Sequence, residues 1–142
     1  MKKHNFRSVI ATASLVLGLS GVGPAHADAI GGHLGAVEGA TDVYAVTCPA
    51  GTVSVEASVN DAIAAGTQVN VQLINPNGSA ITASAADSGG PSGFVTLDGG
   101  AGSYLVTVSK NTEFGEGYSV SIHCNDAVGP LDETIAVLVQ NQ

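Results

Sequence analysis

Cys48 and Cys124 carry the most definite chemistry in this chain. An isolated cysteine pair in an oxidising compartment reads as a disulfide. Closing a loop of about 77 residues, it would stabilise the fold by roughly 4–5 kcal/mol through the chain entropy of the unfolded state. A metal site would instead need Cys and His ligands at short spacing. His123 adjoins Cys124, but neighbours on a strand point to opposite faces. Six acids flank turn sequences: Asp42, Asp87, Asp98, Glu113, Glu116 and Asp126. Calcium takes six to eight oxygens, often from loop carboxylates, so these are the candidate calcium ligands. None follows the Asp-x-Asp-x-Asp spacing of a continuous calcium loop, so folding would have to assemble the site. Beyond calcium, no cofactor is expected.

Catalytic patterns are sparse. A hydrolase needs a nucleophile held against a base. Beyond residue 27 there is no Gly-x-Ser-x-Gly elbow, and the histidines there are His33, in a Gly-rich setting, and His123. A glycosidase needs two facing carboxylates, which twelve acids could supply by chance alone. Gly-rich phosphate loops and dinucleotide fingerprints are absent. The expectation is a protein that is not an enzyme.

The charge distribution sets the compartment. Lys2, Lys3 and Arg7 precede an apolar stretch from Val9 to Leu19, followed by Ala25-His26-Ala27. A basic start, a short apolar centre and an Ala-x-Ala exit make a signal peptide, residues 1–27, cleaved after Ala27. From Asp28 on, one lysine (Lys110) faces all twelve acidic residues, a formal charge of −11. The product is expected to be secreted or periplasmic. With a single cation it cannot neutralise a phosphate backbone, which disfavours nucleic acid, or bind an anionic membrane surface. No later run is long enough to insert in a membrane. A cut after Ala25 would instead expose His26 as a terminal copper chelate, completed by His33 or His123.

The elements that must position these residues are strands. Val53, Val55, Ala57 and Val59 alternate with polar residues, and so do Val69, Val71 and Leu73. Tyr104, Val106 and Val108 repeat the pattern, as do Tyr118, Val120 and Ile122. Period-two alternation marks strands with one buried and one wet face. Asn75-Pro76-Asn77-Gly78 predicts a hairpin turn with positive φ at Asn-Gly, Asn111 to Gly117 predicts another hairpin, and Asn60 to Ala65 could form one helical turn. The result is an all-β, antiparallel, single-domain sandwich. Cys48 is in phase with Tyr44 and Val46, and Cys124 with Tyr118 and Ile122, so both thiols face inward. His123 falls on the outer face, where solvation is expected. Phe94 and Phe114 lie near loops, either covering the core ends or serving as aromatic platforms.

The segment Thr41 to Cys124 resembles the bacterial pre-peptidase C-terminal domain family. Asp42-Val43-Tyr44 with Pro49-Ala50-Gly51-Thr52 is similar to that family's opening strand and turn. Leu73 to Gly78 is similar to its central strand and hairpin, Ala101 to Val108 to its Gly-x-Tyr strand, and Gly117-Tyr118-Ser119-Val120 to its closing strand. The resemblance implies a jelly-roll-like β-sandwich and a non-catalytic accessory domain, sometimes used for substrate or matrix binding. Some relatives bind calcium through central-strand aspartates; Gln68 and Asn70 stand at those positions here, so that site does not transfer.

Around the sandwich at 42–124, residues 28–41 read as a flexible lead-in and 125–142 as an extension with an extra strand. Thr134, Ile135, Val137 and Val139 belong to a stretch apolar on both faces. It either completes the sandwich or pairs with a neighbouring subunit. The expected partner is an extracellular protein or polymer, with self-association through this strand as the alternative. A periplasmic metal-binding role is a further one.

Overall fold

Alternation of apolar and polar residues turns one face of each long strand inward, and the structure stacks two such faces. The computed structural model describes residues 25–26, 29–63, 67–78, 80–85 and 90–142. Ten strands follow in order: β1 (Ala25–His26), β2 (Ile30–Leu34), β3 (Thr41–Cys48), β4 (Ser54–Asp61), β5 (Val69–Ile74), β6 (Ala80–Ser84), β7 (Val95–Asp98), β8 (Gly102–Lys110), β9 (Glu116–Asn125) and β10 (Ile135–Gln140). The larger sheet has the order β1-β10-β3-β8-β5-β6 and the smaller β2-β9-β4-β7. Every pairing is antiparallel. The protein is therefore an all-β, two-sheet sandwich. No helix among the described residues is long and apolar enough to cross a membrane.

Among the described residues, only β5 and β6 are consecutive strands paired in one sheet; every other connection between these ten strands passes between the sheets. Asn111 to Gly117, expected as a hairpin, is one such crossing: β8 lies in the larger sheet and β9 in the smaller. Turn residues mark where the chain bends, but long-range packing decides which sheet receives the next strand. The β5–β6 hairpin does turn at Asn75–Gly78, where Gly78 N donates to Asn75 O at 3.0 Å. Its one left-handed residue is Gly78, at φ 82°; Asn77 keeps a negative φ and instead donates its N–H to Asn75 Oδ1. The helical turn expected from Asn60 to Ala65 is absent where that stretch is described, because Asn60 and Asp61 extend β4 against Ser119 and Tyr118. Residues 64–66 lie outside the described residues.

The lead-in at 28–41 is likewise corrected in part. Its Ile30–Leu34 forms β2 along β9, with Gly32 opposite Tyr118. A Cβ on Gly32 would lie 2.3 Å from the Tyr118 ring, so glycine there admits an aromatic side chain. The C-terminal extension contributes β10, which runs along β3. Cys48 on β3 and Cys124 on β9 are disulfide-bonded with Cα atoms 5.6 Å apart, joining the two sheets through their inner faces. Between them lies a core of Val46, Val55, Val71, Leu73, Val106, Ile122 and similar side chains.

Candidate functional site

Among the described residues, folding does not gather the candidate calcium ligands. Asp98 and Glu113 are exposed. Asp126 Oδ1 accepts from Val128 N at 2.7 Å and Gly129 N at 2.9 Å, closing its own turn. Asp87 lies outside the described residues. Asp42 and Glu116 are buried and engaged by other groups. Among the described residues, no group of three or more His, Cys, Asp or Glu is placed to hold a metal. Of the two alternative copper partners for His26, His33 is opposite Gly117, and His123 lies six residues further along β9, about 20 Å at the rise of a strand. The two could not both join one ion, and the His26 side chain lies outside the described residues. His123 is not a freely solvated side chain. Its Nδ1 lies 3.1 Å from Glu56 Oε1, and its ring sits 5.6 Å from that of Phe94. Phe94 and Phe114 are both exposed.

The structure concentrates its polar chemistry in one end of the core. From the larger sheet come Asp42, Tyr44 and Lys110, and from the smaller sheet Asp61, Glu116 and Tyr118, all buried. Their signal in the sequence was phase. Asp42 shares the parity of Tyr44, Lys110 that of Val108, Asp61 that of Val59, and Glu116 that of Tyr118, so alternation turns all four inward.

Two networks organise this end. In the first, Tyr118 Oη donates to Asp42 Oδ2 at 2.6 Å. Tyr44 Oη, 2.6 Å from Tyr118 Oη, must then donate to Tyr118. Burial above all, with the hydrogen bonds to Asp42 and Tyr44, holds the Tyr118 phenol far above its ordinary value, so it remains a donor. Asp42 Oδ1 accepts the Gln142 N–H at 2.9 Å, and Gln142 O accepts from Gly35 N at 2.7 Å. One carboxylate thus ties the residues after β10 to the start of β3 and to β9.

The second network is a carboxyl pair beside an amine. Asp61 and Glu116 are each only 1% exposed. Burial next to the Asp61 carboxyl disfavours the ionised form of Glu116. Asp61 Oδ1 accepts from Ile63 N at 3.0 Å, while Asp61 Oδ2 and Glu116 Oε1 have no hydrogen-bond partner among the described residues. Lys110 Nζ donates to Val37 O at 2.8 Å and Thr112 O at 2.5 Å. Burial first, then the neighbouring Asp61 carboxyl, raise the Glu116 carboxyl above the usual 4.5; the Gly117 backbone and the Lys110 charge oppose this.

A carboxyl group raised by folding stabilises the native state in acid and loses that contribution as pH rises through its folded value. The contribution of Glu116 should therefore decline from near pH 4.5 upward. Glu116→Gln, which cannot ionise, should flatten that decline. Urea unfolding of both proteins at pH 5 and pH 8 checks this; parallel pH dependences would dismiss a raised Glu116 carboxyl.

The surface holds a second feature. On the outer face of the larger sheet, Val137 pairs with Ala45, Ala45 with Leu105, and Leu105 with Ile74. This apolar row crosses four strands. It ends in a shallow depression of about 260 Å³ lined by Ile74, Pro76, Ser103 and Leu105, among others. At its other end, β10 exposes Ile135, Val137, Leu138 and Val139. Compared with known proteins, the chain matches no family model and no curated protein.

Proposed function

We propose that this chain is a secreted, non-catalytic β-sandwich module that engages an extracellular protein or polymer through the outer face of its larger sheet. The observation that carries this is the row Val137–Ala45–Leu105–Ile74, an apolar strip on a face that alternation would otherwise keep polar. The signal peptide, the acidic composition and the resemblance of Thr41–Cys124 to pre-peptidase C-terminal domains support the same reading. So does the use of the core's acids and lysine: Asp42 holds Tyr118, and Asp61 and Lys110 hold backbone groups in the interior. Among the described residues, calcium has no gathered ligand set to support it.

Binding the purified secreted protein to the extracellular matrix fraction of the secreting cells, and to insoluble polysaccharides, tests the reading. Leu105→Asp should weaken retention about 10- to 100-fold, the equivalent of losing one buried leucine contact. Circular dichroism and the intact disulfide would show that the variant is folded. Wild-type protein retained by none of these materials, or equal retention of the variant, would remove the outer face as the binding surface.

A further inference from the structure

We propose that β10 is a homodimerisation edge, freed by signal-peptide cleavage and filled by the β10 strand of a second copy of this chain. On one side β10 pairs with β3 from Ile135 to Gln140, with an irregularity between Leu138 and Gln140. On the other side its only strand neighbour among the described residues is β1, with Ala25 opposite Ala136 and His26 opposite Ile135. A cut after Ala27 removes β1. The outward N–H and C=O groups of β10 then form an unpaired row, a template for another strand. The proposal rests on the secreted reading, because cleavage is what frees this edge.

Two observations select a second copy as the occupant. The edge accepts an antiparallel strand in this structure, and two copies of one edge strand related by a two-fold axis meet antiparallel. Charge makes the second case. Residues 134–142 contain no charged side chain, whereas the rest of the chain beyond residue 27 sets one lysine against twelve acids. Two copies repel over most of their surface and meet without like charges along this strand. Ile135, Val137, Leu138 and Val139, between 41% and 58% exposed, then cover one another. The five strands β10-β3-β8-β5-β6 of each copy join into one continuous sheet.

The test expresses the full chain with its leader in a secreting host and reads the N-terminus and native mass of the product. At about 100 μM, where a micromolar dimer is well populated, the product beginning at Asp28 should be a dimer. Val137→Lys places two cations near the two-fold axis and should raise the dimer dissociation constant at least about 30-fold; retained circular dichroism and the native disulfide show that it folds. Both native cysteines are bonded to each other, so one added thiol reports cleanly. Val137→Cys should give a covalent dimer on mild oxidation, and Val128→Cys, on an exposed turn, should not. A processed protein that stays monomeric, or a dimer indifferent to Val137→Lys, overturns the edge and leaves the secreted reading standing. A product that keeps Ala25–Ala27 overturns the cleavage on which both rest.

Discussion

Replacing Cys48 and Cys124 together by alanine should lower the stability of the domain by roughly 4–5 kcal/mol. A domain of this size has about 5–15 kcal/mol in total, so the variant will be near its unfolding midpoint under mild conditions. The size of the effect follows from the sequence separation of 76 residues. Without the bridge, the unfolded chain regains the freedom of a loop spanning most of the sandwich. The native state loses a tie between the larger sheet at β3 and the smaller at β9. The approach to β10 keeps its own tie, because the backbone N–H at position 124 still donates to Thr134 Oγ1 at 3.0 Å, and Thr134 Oγ1 donates to Leu131 O. Alanine is preferred to serine because both positions are buried and two hydroxyls would need partners there. Urea midpoints of the wild type, the wild type with reductant, and the double variant should place the last two together. A loss below about 1 kcal/mol would mean that the unfolded chain is already held compact by other contacts.

The strands were readable wherever one face is buried and the other wet. Tyr104, Val106 and Val108 on β8, and Tyr118, Val120 and Ile122 on β9, announce themselves by period two, and the same phase turned both cysteines inward. Pairing was less readable. The turn-like residues from Asn111 to Gly117 suit a hairpin and a crossing between sheets equally well; the choice depends on β8 finding β3 and β5, far away in sequence. Glycine misled at Gly31-Gly32, where composition suggests a flexible lead-in but Gly32 makes room for Tyr118. The polar end of the core was present in the phase of Asp42, Asp61, Lys110 and Glu116. Charged residues are ordinarily assigned to the surface, and that habit outweighs the phase unless partners can be foreseen. A place beside a turn suggests Glu116 as a calcium ligand; Asp61, the acid that disfavours its ionised form, is 55 positions away and comes near through β4–β9 pairing.

Lys110 lies buried in the same polar end as the acid pair, and Lys110→Met should cost about 3–5 kcal/mol at neutral pH, as expected when one partner of a buried charge cluster is removed. Methionine keeps much of the stem, so little packing is lost. What disappears is a donor to Val37 O and Thr112 O and the positive charge that pulls Glu116 down. Two carbonyls lose a donor in the interior, which is costly. Glu116 must then rise further above the usual carboxylate value, so more of the folded protein's stability depends on that carboxyl remaining protonated. By linkage the penalty should be larger at pH 8 than at pH 5, because acid supplies the proton that replaces the missing cation. Combining Lys110→Met with Glu116→Gln removes the charge on both sides. If the lysine acts electrostatically, the double variant should recover part of the loss at pH 8, a coupling that a four-protein unfolding cycle would measure directly. Strictly additive losses at both pH values would instead assign Lys110 to its two carbonyl contacts alone.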